Sequence, residues 1–427
     1  MSSERVVEVQ SLSVSADSVE ILRRVDFALS RGELLLVVGR SGSGKTTLLR
    51  ALLGIAPELG LKVRGRVRVL GSAPGDVRAL QRIVYVPQEP WFAIASPYPL
   101  TELLTFTKAR LSDIVEVCKR LGIVDKLESN TMHLSPGEVQ RLLIAEARLS
   151  SSSLLIIDEA TSYLDPEARR EVAKLVRELV DEGAAAIVVD HDIDLWRGLH
   201  DRVLELYGGE ARLLSDVVES RVFEELQELK RVLRGMRRCS APSRGSPVLE
   251  VEDLWFRFPD ADDYIIKGLT FSVLQGSMTL LKGVSGRGKT TLLRILAGLY
   301  RPTKGRVRVL SKPQLVPENP LLYLSSPTVA EELRGDLELA KMVGLEHRFH
   351  APIGVLSSGE RRRLAVASAF SRSPRVVLID EPSVGLDPWS AIQIVRILDT
   401  LRRRGCAVVV ASHDPLFLEV CDEVVHL

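Results

Sequence analysis

Short, unbroken apolar runs punctuate the chain: LLLVV at 34–38, LLIID at 154–158, AAAIVV at 184–189, VVLID at 376–380 and CAVVVAS at 406–412. None alternates with polar residues, so each predicts a strand buried on both faces, as in a parallel sheet covered by helices. The slightly positive mean hydropathy, +0.10, agrees with such strands. Between them lie segments that open amphipathic helices, LSPGEVQR at 134–141 and LSSGERRR at 356–363. Val217, Val218, Val222, Leu226, Leu229 and Leu233 recur at helical spacing and predict a helix from Asp216 to Arg238. The longest apolar runs fall far short of the roughly 20 residues that cross a bilayer.

The pattern occurs twice. GKTTLLR stands at 44–50 and again at 288–294. GRVRVL recurs at 65–70 and 305–310, LLIIDEATSYLDP (154–166) answers to VVLIDEPSVGLDP (376–388), and VVDHD (188–192) to VASHD (410–414). The common order indicates a tandem duplication of one domain. The chain of 427 residues therefore divides into a first domain at 1–209, a connector at 210–247 and a second domain at 248–427. The connector reads as the 216–238 helix followed by a flexible tether, CSAPSRGSP. Its basic positions, Lys230, Arg231, Arg234, Arg237 and Arg238, suit either a solvated helix face or contact with lipid headgroups. The second half lacks a piece corresponding to roughly 75–84 of the first.

GRSGSGKT (39–46) and GVSGRGKT (283–290) each follow an apolar strand and open a helix, the required setting of a phosphate-binding loop. Gly39, Ser41, Gly42, Gly44 and Thr47, with Gly283, Ser285, Gly286, Gly288 and Thr291, let backbone N–H groups converge on an anion at a helix N-terminus. Lys45 and Lys289 are expected to reach the β- and γ-phosphates of a nucleotide, and Thr46 and Thr290 to hold Mg²⁺. The acids ending two apolar strands sit where a doubly wound sheet places them beside that loop. Asp158 and Asp380 are the expected metal-shell carboxylates, and Glu159 and Glu381 the groups that orient or deprotonate water. His191 and His413 follow two further strands and are expected to meet the γ-phosphate or its attacking water.

Ser135 with Glu138, and Ser357 with Glu360, form the S-x-x-E capping pattern. With the Leu-Ser-x-Gly motif, the Asp-Glu strand and the following Leu-Asp, the chain resembles the ABC-type ATPases over nearly its full length. The resemblance implies two tandem P-loop NTPase domains of α/β class. Each would have a mainly parallel sheet core, a small helical insert and an N-terminal β subdomain. It also implies that the two halves pair head to tail, each ATP lying between one phosphate loop and the other half's signature. Ser135, Gly137, Ser357 and Gly359 would then touch nucleotide in trans, and Asp165 and Asp387 join the ATP-binding set. The resemblance places Gln88 and Glu318 in one slot near the metal, and Phe258 against adenine, where the first half has Ala16. The signatures carry Pro136 and Ser358 in place of glycine. Glu318 adds a negative charge where Gln88 has an amide, so slower hydrolysis is expected at the Lys289 site.

Formal net charge is +1, which removes a nucleic-acid type of basic field. Cys118, Cys239, Cys406 and Cys421 form no CxxC pair, against a disulfide framework or metal ribbon. MSSERVVEV has no apolar signal core, so a cytoplasmic chain is expected, peripheral on the inner face of the membrane. Short inserts and the Arg-rich signatures look most like fused ATPases of energy-coupling-factor importers, which serve vitamins, cobalt and nickel. That implies a transmembrane coupling protein and a substrate-binding membrane subunit as partners, docked on the inserts at 88–134 and 318–356. A sugar-type importer ATPase and a soluble translation factor remain the alternatives.

Overall fold

Each uninterrupted apolar run forms a central strand, fully buried, in one of two parallel sheets. The computed structural model describes residues 4–150, 152–159, 161, 164–238, 245–259, 263–283, 286–384 and 386–427. The side chains of Phe92 and residues 232–238 are outside that description, as are Ser285 and the 239–244 part of the expected tether. The chain divides into two compact units, Met1–Glu225 and Leu226–Leu427.

The first unit begins with β1 (Arg5–Ala16), β2 (Val19–Ser30), β3 (Leu34–Val38) and the helix α1 (Lys45–Leu53). Then come β4 (Lys62–Val69), α2 (Val77–Leu80), β5 (Ile83–Val86), and the insert helices α3 (Pro99–Phe106) and α4 (Leu111–Arg120). It continues through α5 (Pro136–Leu149), β6 (Leu154–Asp158), α6 (Pro166–Asp181), β7 (Ala185–Val189), α7 (Ile193–Trp196), β8 (Arg202–Tyr207) and β9 (Glu210–Leu214). The main sheet has the order β5-β6-β7-β3-β8-β9, and only β9 runs antiparallel to its neighbour. An antiparallel sheet, β2-β1-β4, forms the N-terminal subdomain and shares its core with α1 and β3.

Two boundaries differ from the sequence expectation. Residues 210–214, assigned to the connector, pair as β9 with β8 and complete the first sheet. The connector helix α8 starts at Arg221 and runs to Arg238, not from Asp216. Asp216 instead caps a single 3₁₀ turn, Val217–Glu219, by accepting from the Val218 N–H.

The second unit repeats the plan with β10 (Pro247–Phe256), β11 (Ile266–Leu274), β12 (Met278–Lys282), α9 (Lys289–Leu296), β13 (Lys304–Val309) and β14 (Gln314–Val316). Its insert holds α10 (Val329–Glu332) and α11 (Leu337–Met342). After it come α12 (Ser358–Phe370), β15 (Val376–Asp380), α13 (Pro388–Arg403), β16 (Ala407–Ala411), α14 (Pro415–Leu418) and β17 (Glu423–His426). The sheet order is β14-β15-β16-β12-β17, all parallel, beside a β11-β10-β13 antiparallel sheet. The shorter second half keeps the strand equivalent to β5, as β14. What it lacks is the α2 turn between the strands, so the gap falls slightly earlier than 75–84. Among the described residues no helix is long and apolar enough to cross a membrane.

Candidate functional site

In both units the loop after the central strand closes on a glycine that starts a helix. Gly44 and Gly288 have φ of 98° and 85° and cap α1 and α9 without any side-chain hydrogen bond. The left-handed conformation favours glycine at both, and a Cβ would also press on side-chain methyls, 2.7 Å from Leu22 Cδ2 at Gly44 and 2.5 Å from Ile265 Cγ2 at Gly288. The first-turn N–H groups of these helices are thus left for an anion. Lys45 and Lys289 are buried at 5% and 7% exposure, and each folds back onto its own loop. Lys45 Nζ donates to the Gly39 and Arg40 carbonyls at 2.9 and 3.1 Å, and Lys289 Nζ to the Gly283 carbonyl at 2.9 Å.

β6 lies two strands from β3, with β7 between them, and β15 and β12 are arranged likewise around β16. This brings the strand-end acids to the loop. The Thr46 hydroxyl bonds Asp158, and Thr290 Oγ1 donates to Asp380 Oδ2 at 2.7 Å. In each aspartate the other oxygen, Oδ1, is buried with no hydrogen-bond partner among the described residues. A buried carboxylate oxygen left unpaired at the same place in both units fits a cation and its water shell. Burial, with repulsion from Glu159, pushes Asp158 up to about 6, and burial also raises Asp380. Bound metal would reverse that by favouring the ionised form.

Glu159 and Glu381 sit at φ of 53° and 42°, a left-handed backbone that costs a non-glycine residue about 1 kcal/mol or more. The Glu159 N–H donates to Val189 O and that of Glu381 to Ala411 O, both at 2.8 Å. The kink turns each glutamate toward the residue following the next strand. There the units diverge. In the first, His191 Nε2 is 2.8 Å from Glu159 Oε1, and Gln88 Nε2 donates to Glu159 Oε2 at 2.9 Å. Burial alone would raise the Glu159 carboxyl, but the hydrogen bond and charge of His191, helped by Lys45, hold it below the usual range. In the second, His413 Nε2 lies 2.6 Å from Lys289 Nζ and 3.5 Å from Glu381 Oε1. Glu318 can donate nothing to Glu381 when ionised. Burial first, then Asp380 and Glu318, push Glu381 up to about 7 against the pull of Lys289 and the His413 N–H.

The remaining sequence-predicted residues are placed as follows. Ser135 and Ser357 are exposed N-caps of α5 and α12 with complete capping boxes, while Gly137 is buried and Gly359 half-buried in the first turns. Asp165 and Asp387 cap α6 and α13: Asp165 accepts the Glu167 and Ala168 N–H groups, and Asp387 both the N–H and hydroxyl of Ser390. Within its own unit each carboxylate is committed to a helix start. Phe258 is 37% exposed and packs edge-on against Phe256 and Tyr300. The same register positions in the first unit hold Val14, Ala16 and Ala56.

Four contributors had no sequence signal beyond residue type. The Tyr85 hydroxyl reaches Asp158 Oδ2 at 3.4 Å, where β14 has Leu315. Tyr300 stacks on Phe256 with a 5° interplanar angle. Arg362 donates to the Glu381 carbonyl from α12. Arg40, in the first phosphate loop, makes a bidentate pair with Glu225 of α8 at 2.9 and 2.6 Å. Only a comparison of the two halves, position by position, points to Tyr300 and Arg362.

A glycine-started helix, a buried lysine, a strand-end Asp-Glu pair and a following histidine define a phosphate-loop nucleotide hydrolase. The family model described as ABC transporter matches residues 22–162 and 266–384, and the chain belongs to that family. It is an ATP-binding, ATP-hydrolysing enzyme of two tandem ABC domains. A Methanosarcina mazei protein provisionally named an ABC transporter ATP-binding protein is 28% identical, over 96% of this chain and 90% of its own length. A Bacillus subtilis protein provisionally named the HMP/thiamine import ATP-binding protein YkoD is 27% identical, over 96% of this chain and 86% of its own. A solved structure titled RNase-L Inhibitor superposes with a TM-score of 0.75 at 22% identity, covering 97% of this chain and 87% of that one, a likeness of fold.

Proposed function

We propose that the chain is the ATP-hydrolysing subunit of a membrane importer of the energy-coupling-factor type, carrying a vitamin or a transition-metal ion. The observation that carries this reading is the apolar surface of the inserts. Trp91, Leu104, Phe106 and Met132 of the first insert, and Leu321 and Leu322 of the second, expose a third to four-fifths of their surface. Large apolar side chains left exposed on both inserts suit docking surfaces for another protein. The relative named for HMP/thiamine import supports the solute class. The partners would be a transmembrane coupling protein and a substrate-binding membrane subunit, holding the chain at the inner face of the membrane.

Chemically, Glu159 and Glu381 accept the proton of the attacking water, and His191 and His413 orient that water or the γ-phosphate. Thr46, Gln88 and Asp158, and in the second set Thr290, Glu318 and Asp380, are the residues that would hold Mg²⁺, whose charge screens the phosphates. Each nucleotide is read as shared between one unit's phosphate loop and the other's signature serine and glycine, so the two sites are not equivalent.

The test is co-expression of the tagged chain with the products of its neighbouring genes, any multi-span membrane proteins among them. Recovery of a detergent-solubilised complex, lost on Phe106→Asp or Leu322→Asp while ATP binding persists, is the expected result. Recovery with ribosomes instead of membranes would replace this reading with the translation-factor one.

A further inference from the structure

Two positions near the acid cluster differ together between the units. Gln88 is matched by Glu318, and Gln140, five residues after Ser135, by Arg362, five after Ser357. In the first unit both are neutral amides. Gln88 donates to Glu159, while Gln140 is fully buried with neither amide atom partnered among the described residues. In the second unit one exchange introduces an anion and the other a cation. Arg362 reaches from α12 to the main-chain carbonyl of Glu381, the residue with the left-handed backbone. We infer that Arg362 is a positioning residue that neutralises Glu318 and pins the kinked Glu381 peptide, so that Glu318 and Arg362 replace the neutral Gln88 and Gln140 as a unit.

Three features support this. An arginine is obligatorily charged and offers several donors in a fixed fork, so one side chain can serve both a carbonyl and nearby carboxylates. Arg362 bonds the carbonyl of Glu381, the residue next to Asp380, so its guanidinium lies at the acid cluster it is asked to offset. An arginine introduced alone would bring an excess cation, and Glu318 introduced alone a third group of one sign beside Asp380 and Glu381. The negative charge that Glu318 adds at the Lys289 site is thus met by a positive one on the neighbouring helix.

The inference rests on Glu381 acting as the base of an ATPase, so its test includes a measurement without nucleotide. The variants are Glu318→Gln, Arg362→Gln, the double Glu318→Gln/Arg362→Gln, and Arg362→Lys, all in the full chain. The first readout is Mn²⁺ binding to the nucleotide-free protein. Arg362→Gln should tighten it about tenfold by exposing the carboxylates to the ion, whereas the same change made in the Glu318→Gln background should alter it by about twofold or less. The second is kcat and KM for ATP in a Glu159→Gln background. Arg362→Gln should lower kcat about tenfold with little change in KM, the double variant should recover most of it, and Arg362→Lys should lie between. Additive effects of the two single changes in Mn²⁺ binding would overturn the inference. Coupled Mn²⁺ binding with no kcat recovery would keep the charge pairing and instead overturn the positioning of Glu381 as base.

Discussion

Two carboxyls meet beneath the first insert, and their pairing has a calculable cost. Glu102 on α3 is 1% exposed and accepts the N–H groups of Ala95 and Ser96, fixing the segment that follows Gln88. Glu146 on α5 faces it, and burial together with the charge of Glu102 pushes Glu146 from 4.5 up to about 7. In the second unit the matching pair is Glu332 and Ser368, whose hydroxyl donates to Glu332 Oε1 at 2.5 Å. A carboxyl whose folded-state pKa is raised binds its proton more tightly when folded, so folding loses free energy as pH climbs from 4.5 and the full loss is reached above 7. At roughly 1.4 kcal/mol per pH unit that interval amounts to about 3 kcal/mol, and partial exposure of Glu146 reduces it to about 2. Glu146→Gln should therefore stabilise the first unit by about 2 kcal/mol at pH 8 and by about 0.5 kcal/mol or less at pH 5. Urea unfolding followed by fluorescence, with Trp196 buried in that unit, measures it. An equal gain at both pH values, or a loss at pH 8, would refute the reasoning.

Other consequences are as direct. Phe258→Ala should raise KM for ATP roughly fivefold to tenfold at the Lys289 site, measured in a Glu159→Gln background, and leave the Lys45 site unchanged because that unit has Ala16 at the same position. Ser135→Arg should reduce photolabelling by an ATP analogue in the second half and Ser357→Arg in the first. Labelling lost in the mutated half would sink the head-to-tail reading.

The parts legible in sequence were those where local chemistry dictates geometry. A short unbroken apolar run bounded by charged or glycine positions reads as a strand buried on both faces, and a glycine-lysine-threonine after it as a helix opening onto an anion. Duplication multiplied that signal, because chance does not repeat GKTTLLR in the same order with Asp-Glu and histidine. What escaped depended on partners distant in the chain. EARLL at 210–214 carries two charges and reads as connector, yet its backbone completes the sheet edge through β8. That Asp165 and Asp387 cap helices was equally open to any aspartate before a helix, beside the nucleotide contact that the resemblance implies for them. Arg362 stood in a run of three arginines with nothing to distinguish it, until α12 set it beside the Glu381 carbonyl.

The two bases are unequal. Against burial, Glu159 is held below the usual carboxylate range by His191, helped by Lys45, while Glu381 is pushed up to about 7. The most direct test is ATP turnover by Glu381→Gln and Glu159→Gln at pH 6 and pH 8. Glu381→Gln, which leaves the first site, should keep most of the activity at both pH values. Glu159→Gln, which leaves the second, should retain little at pH 6 and rise by up to about tenfold at pH 8, as the remaining base goes from about one-tenth to about nine-tenths ionised. Equal losses in the two variants with the same pH profile would contradict it.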